Sequence, residues 1–482
     1  MSSSGARPAT ARPGAVIGVL AMAGIVASLM QTLVVPLIGE LPVLLHTTAS
    51  NASWAVTATL LAGAVTTPAI GRLGDLYGKR LMLLACTVPL TVGSVLCAVA
   101  SSAGMMIAGR GLQGMGMGVI ALGISALRDL MPPEKLGSSV ALISSSLGIG
   151  GALGLPIAAS VAEHASWRTL FWISAGLSAL VGLLIWLYIP AIPPLAQGRF
   201  DHVGALGLGT GLICLLLGVS KGADWGWGSG VTPGLLIAAP VIFLAWAWWE
   251  LRNPAPLVDL RVTARPQVLM TNAASVVIGL AMYSSSLIIP QLLQLPRTTG
   301  YGLGQSMQAT GLWMAPAGLM MLLVSPVGAK LSAATSPKVT LSVGGTVIAL
   351  GYASFLALSG STGGLLVVTV IINSGVALAY GAMPALIMSG VPQSETASAN
   401  SFNTLMRSVG TSVSSAVVGV VLAHMTVSLG GHAIPSEDGF RTGMLIGCGA
   451  ALVAAVIALT IPVRKPAPGQ SDEDVKAMLV QK

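Results

Sequence analysis

The sequence predicts an all-α membrane protein of about fourteen spanning helices, and three observations predict it. Of 482 residues, 54% are hydrophobic and only 8% are charged, whereas soluble domains carry about 25% charged residues. The mean hydropathy is +0.85, so lipid must be the solvent for most side chains. The apolar runs are long and unbroken, each near the roughly 20 residues that cross a bilayer as a helix. Barrel strands would instead alternate apolar and polar over about ten residues. In lipid, a spanning backbone must satisfy its own hydrogen bonds, which leaves helices as the solution here.

The runs fall near 14–38, 53–72, 81–101, 105–127, 138–161 and 168–189, then 203–221 and 231–249. The remaining six lie near 267–292, 308–329, 339–359, 363–391, 399–424 and 441–462. This spacing gives a polar lead at 1–13, a six-helix bundle at 14–189 and two central helices at 203–249. A second six-helix bundle at 267–462 and a polar tail at 463–482 complete the chain. The first run is too long for the apolar core of a cleavable signal, so it reads as a spanning helix. An even helix count puts both ends on one side.

Charge placement says which side. The loops on the side of the amino terminus hold Arg7, Arg12, Arg72, Lys79, Arg80, Arg128, Lys135, Arg252, Arg261, Arg265, Lys330 and Lys338, among others. The opposite loops hold only Arg168, Lys221, Arg297 and Arg441. A Lys/Arg excess marks the cytoplasmic side. The formal charge of +8 is therefore mostly topology. No basic cluster has the size of a phosphate footprint, so nucleic acid is not an expected partner. Trp246, Trp248 and Trp249 precede Glu250 and Arg252, and Trp225 and Trp227 sit at a short outer loop. Both groups read as interfacial anchors. Cys86, Cys97, Cys214 and Cys448 lie in apolar runs without metal-ligand spacing and read as small packing residues. No HExxH, GxSxG or Walker loop occurs, so no enzyme, cofactor or metal site is expected.

Two segments carry more information. The loop between helices 2 and 3 reads Gly71-Arg72-Leu73-Gly74-Asp75-Leu76-Tyr77-Gly78-Lys79-Arg80. Gly71 and Gly78 permit close approach or positive φ. Asp75 has two candidate partners, Arg80 or the positive end of a helix. Helix 4 contains Arg110-Gly111-Leu112-Gln113-Gly114. An arginine there costs about 2.5–3.5 kcal/mol on insertion scales. It must face a cavity or partner, or snorkel to the outer interface.

Together these segments resemble the signatures of the major facilitator superfamily. The loop follows the pattern G-x-x-x-D-x-x-G-x-R at Gly71, Asp75, Gly78 and Arg80, with Leu76 where a basic residue is common. Helix 4 follows R-x-x-Q-G at Arg110, Gln113 and Gly114. Fourteen helices point to the drug:proton antiporter branch, with helices 7 and 8 as the extra pair. Trp167 to Phe171, and Asn403 to Gly410 in helix 13, are similar to that branch as well. The exporter pattern of helix 5 is kept at Gly150 and Gly154, with its proline displaced to Pro156 and its paired glycines replaced by Ala158 and Ala159. The helix 1 pattern lacks its acidic residue, because Met30 stands at that place beside Gln31 and Thr32.

The resemblance implies a monomeric transporter of the plasma (inner) membrane, surrounded by lipid, with both termini cytoplasmic. It implies alternating access and export of amphipathic or cationic small molecules in exchange for protons. A dedicated transporter of one metabolite is the alternative. No Asp or Glu stands at mid-helix. The coupling candidates are therefore Glu40, Asp75 and Asp129, with Arg110 tuning and His46 and His424 behind them. Gln31, Gln113, Asn403 and Arg407 are candidates for the substrate pathway, with Tyr283, Trp313, Met314 and Met383 as apolar lining. Reporter fusions at residue 1 and residue 482 should both report from the cytosolic side; opposite sides would remove one helix from the count.

Overall fold

The computed structural model describes residues 13–34, 37, 41–191, 193–194, 196–429 and 432–462. Among them, 14 helices are long and apolar enough to cross a membrane. In chain order the first six are α1 Pro13–Thr32, α2 Ala49–Tyr77, α3 Lys79–Ala98, α4 Ala103–Leu130, α5 Pro133–His164 and α6 Arg168–Tyr188. Two more follow, α7 His202–Trp225 and α8 Val231–Arg252. The last six are α9 Pro266–Gln294, α10 Met307–Ala334, α11 Pro337–Leu358, α12 Thr362–Gly390, α13 Thr396–His424 and α14 Glu437–Thr460. A short antiparallel hairpin, β1 Thr426–Leu429 with β2 His432–Pro435, joins α13 to α14. The face where α1 begins and α14 ends is called the terminal face below.

The first helix is shorter than expected, ending at Thr32. Glu40 and Pro36 lie outside the described residues, as do residues 1–12 and the tail. Prolines do not end the helices that contain them: α2 runs through Pro68, α3 through Pro89, α5 through Pro156 and α12 through Pro384. Each loses one backbone bond there. The α4 segment does change at Gly116–Gly118, which forms a 3-10 turn between Ala103–Met115 and Val119–Leu130.

Two bundles result. One apolar cluster unites α9 to α14 around Ile278, Ile348, Tyr352, Ile372 and Phe440. Two clusters hold α1 to α6, one around Leu20, Leu83 and Leu122 and one around Leu29, Ala55 and Phe171. The bundles meet where α5 packs on α10, with Gly148 against Met321 and Gly318 against Ala152. Helix α7 lies along the seam between α2 and α13: Leu208, Leu212 and Leu216 pack with Ala64, Phe402 and Leu405. Helix α8 touches α7 and is otherwise peripheral; only 17% of its apolar window is buried. Of the tryptophans expected at interfaces, Trp248 is exposed and stacks under Arg252 at 4.1 Å. Trp246 instead packs inward, against Gly207 of α7.

Close approach by glycine is needed most where α9 and α13 touch. A Cβ on Gly410 would run into the carbonyl of Val276, and one on Gly279 into the carbonyl of Arg407. Backbone cannot yield as a side chain does, so Gly410→Ala should destabilise the protein by about 1–3 kcal/mol through overpacking. Gly111 has nothing within 4 Å of its Cβ position. There Ala should be neutral or stabilising by up to about 1 kcal/mol, from helix propensity alone. Thermal unfolding of the two variants in detergent checks the opposite signs.

Candidate functional site

At the terminal face the loop motif is assembled into a contact between bundles. Helix α13 begins after Glu395, whose side chain makes no capping bond. The first N–H groups of a helix have no intrahelical partner. Here the carboxylate of Asp75, from the end of α2, accepts from Ala397 N at 3.1 Å and from Ser398 N at 2.8 Å. An N-cap side chain normally makes bonds to these positions. Asp75 thus caps α13 from another helix, and its charge also meets the positive end of the α13 dipole. Asp75 is 3% exposed. Gly71 allows the approach, since a Cβ there would strike Ser401 and the carbonyl of Ala397.

The rest of the motif builds the turn. Gly78 has φ 99 and ψ 134, a region that side chains rarely enter. Lys79 pairs with Asp129 at 2.5 Å. Arg80 donates to the carbonyl of Trp186 at 2.6 Å; of the two partners open to Asp75, the helix end is therefore the one it meets. Asp129 also accepts from Gln393 across the bundles at 3.2 Å. Arg128 donates to the carbonyl of Val391 at 3.3 Å and to Thr396 Oγ1 at 3.1 Å. Three residues of the first bundle, Asp75, Arg128 and Asp129, thus hold the chain from Val391 to Ser398. Sequence reading missed Arg128, Gln393 and the α13 amides, because their partners lie more than 260 residues away. The one local signal is Ser394-Glu395-Thr396 ahead of a helical run.

The helix 4 motif forms a buried clamp. Arg110 is 1% exposed, so it does not snorkel. Its guanidinium donates to Ala55 O at 3.0 Å, Met30 O at 2.8 Å and Gln113 Oε1 at 2.6 Å. Gln113 donates in turn to Ser94 at 2.8 Å, and Thr59 donates to the Arg110 carbonyl at 3.0 Å. One arginine therefore ties α1, α2, α3 and α4. A Cβ on Gly114 would meet the carbonyl of Thr59, so this face of α4 is fitted to α2.

The other expected residues fall in different places. Gln31 is exposed and donates to Met117 Sδ at 3.5 Å. Gln113 and Asn403, expected along the pathway, are instead buried. Asn403 donates to Asn272 Oδ1 at 2.9 Å and Ser275 Oγ at 2.7 Å, because its face of α13 is pressed on α9. Arg407, one turn on, is half-buried and lies over the Tyr380 ring at 4.4 Å. Gly150 and Gly154 of the helix 5 pattern pack on Ile25, Ser28 and Thr32 of α1, and Pro156 lies further along the same helix. His46 is exposed, and the exposed His424 shares a hydrogen bond with the Val420 carbonyl at 3.0 Å.

Helices in two facing bundles, packed together along α5 and α10 and latched at one face through helix ends and turns, define the scaffold of a polytopic membrane transporter. A family model described as the Major Facilitator Superfamily matches residues 20–415, and the chain belongs to that superfamily. It is 29% identical over 419 residues to an uncharacterized MFS-type transporter of Mycobacterium tuberculosis, covering 86% of this chain and 60% of that one. The chain thus spans about 60% of that relative's length. It is 26% identical over 373 residues to the multidrug resistance protein Stp of the same species, covering 77% of this chain and 68% of that one. Among solved structures, the human organic anion transporter MFSD10 superposes with a TM-score of 0.65 at 14% identity, covering 93% of this chain and 99% of that chain.

Removing the Arg110 guanidinium empties its buried volume and takes a donor from the Ala55 and Met30 carbonyls and from Gln113 Oε1. Arg110→Ala should cost about 3–5 kcal/mol, the scale for truncating a large, fully buried side chain. Gln113→Leu should cost less, near the 1–3 kcal/mol of one unsatisfied group. Melting curves of the purified variants test that ranking.

Proposed function

We propose that this chain exports amphipathic small molecules in exchange for protons, by rocking α1 to α6 against α9 to α14. The observation that carries the reading is the cap of α13 by Asp75, because it exists only while the bundles meet at the terminal face. The Lys/Arg distribution supports a cytosolic terminal face, with both ends of the chain there. On that orientation the protein is closed to the cytosol. It works as a monomer in the plasma membrane.

Protonating Asp75 would take the charge from the acceptor and loosen the first turn of α13. A charge-assisted hydrogen bond contributes about 1.5–3 kcal/mol net. A proton crossing about 100 mV delivers about 2.3 kcal/mol. Asp75 makes two such hydrogen bonds, and protonation roughly halves each, so the latch weakens by an amount that one proton can supply. Asp129, held between Lys79 and Gln393 at the same face, is a second candidate. The name of the multidrug resistance relative supports efflux of varied compounds. Arg110 acts as a positioning residue in this reading, since it keeps α2 and its Asp75 in register with α1 and α4.

The test is dye transport in everted vesicles that hold the full chain. Uptake should follow an imposed proton gradient and stop when nigericin dissipates it. Asp75→Asn keeps the size but loses the charge, and should slow uptake about tenfold at equal protein level. Uptake that ignores the gradient would falsify coupling, and a full rate in the Asn variant would remove the latch.

A further inference from the structure

We infer that the transported molecule is an amphipathic organic anion, and that Arg407 holds its acid group. This rests on the transporter reading above and names its substrate class.

Arg407 is the twelfth residue of the 29-residue α13, about 17 Å from its start at the helical rise. That is near the middle of a bilayer core about 30 Å thick. The neighbours of α13 fix which way the side chain faces. Asn403, Gly410 and Ser414 meet α9. Phe402, Leu405, Met406 and Val409 meet the α7 side. Ala397 and Ser401 meet α2. Thr404, Arg407, Ser408 and Thr411 form another stripe, all half-buried. Arg407 reaches from that stripe to Tyr380 of α12, so the stripe faces the interior between the bundles and not lipid.

Arg407 also lacks partners for its N–H groups among the described residues. Tyr380 covers one face of the guanidinium at 4.4 Å, a favourable cation–π contact. Such a contact leaves the N–H edge open, since the donors lie in the guanidinium plane. Among the described residues no hydrogen-bond acceptor reaches that edge. Arg110 differs: its guanidinium is bonded to two carbonyls and an amide. These are the charged side chains farthest from helix ends, and both are cations. Among the described residues no carboxylate lies at mid-helix to neutralise Arg407. A cation in mid-membrane is held there by a partner or by function, and a planar fork with a free edge matches a carboxylate or sulfonate in two parallel bonds.

The surroundings of Arg407 also suit an apolar ligand body. The Tyr380 hydroxyl donates to Met282 Sδ at 3.0 Å, which places a thioether beside the ring. Methionine and an aromatic face adapt to varied apolar shapes. A cationic compound would meet like charge here and no fixed anion, so the same site selects against it.

Fluorescein and tetramethylrhodamine methyl ester share a xanthene core and differ in charge, which makes them the probes. Binding to the purified full chain is followed by fluorescence anisotropy, and transport in the vesicles described above. The anion should bind at least about tenfold tighter than the cation. Arg407→Gln should abolish that preference and Arg407→Lys should retain part of it, both with the melting temperature of the parent. Tighter binding of the cation, equal binding of both dyes, binding of neither, or an unchanged anion affinity in a folded Arg407→Gln protein would overturn the inference. Gradient-driven transport of the cation that survives Arg407→Gln would uphold the exporter and sink the anion. Anion binding lost in Arg407→Gln, without any gradient-driven transport, would uphold the site and sink the antiporter.

Discussion

The structure at the terminal face depends on an unfinished helix. Helix α13 starts with no side-chain cap of its own, and a buried start without partners is unstable. The missing acceptor is Asp75, which sits 322 residues earlier and in the other bundle. A local cap would complete α13 whatever the rest of the protein did. A borrowed cap makes its completion conditional on contact between bundles. Gly71 is part of the same device, because any side chain there would hold α2 away from Ser401. The charge, the missing cap and the glycine are one constraint read at three positions.

Conditional contact is useful only if each bundle is internally firm. Arg110 supplies part of that firmness: its three bonds and those of Gln113 and Thr59 join four helices at one point. In the second bundle the matching rigidity comes from close backbone approach at Gly279 and Gly410 and from the Asn403, Asn272 and Ser275 knot. By contrast, most bonds described between bundles at the terminal face end on backbone groups of a turn or helix start. Such bonds break and re-form without repacking a core.

The number of helices and their bounds were largely legible, because hydropathy over 20 residues is a local property. Arg110 and Gly150 fall on the helices expected of them, but Asp75, expected in a loop, lies in α2, which runs on to Tyr77 and leaves only Gly78 before the next helix. Partners were not legible. Nothing near Asp75 says that its acceptor role is spent on Ala397, and nothing near Gln113 says that Ser94 takes its amide. Gln113 and Asn403 look like pathway residues by polarity alone, yet each is buried because a polar group inside lipid first seeks protein partners. Arg407 shows the converse. Its neighbours in sequence are as polar as those of Asn403, and only the three-dimensional packing reveals that one is bonded and the other is open.

The two extra helices bear on the same seam. Helix α7 packs against α2 and α13 at once through Leu208, Leu212 and Leu216, the two helices that Asp75 joins. Lys221 donates to Ser53 at 2.5 Å and lies over Trp54 at 5.1 Å, which fastens α7 to α2 at its far end. Toward α13 the contact is apolar, through Phe402, Leu405, Met406 and Val409. Polar fastening on one side and apolar contact on the other would let α7 travel with the first bundle while α13 slides past it. The pair would then cover the cleft from lipid without opposing the motion that opens it.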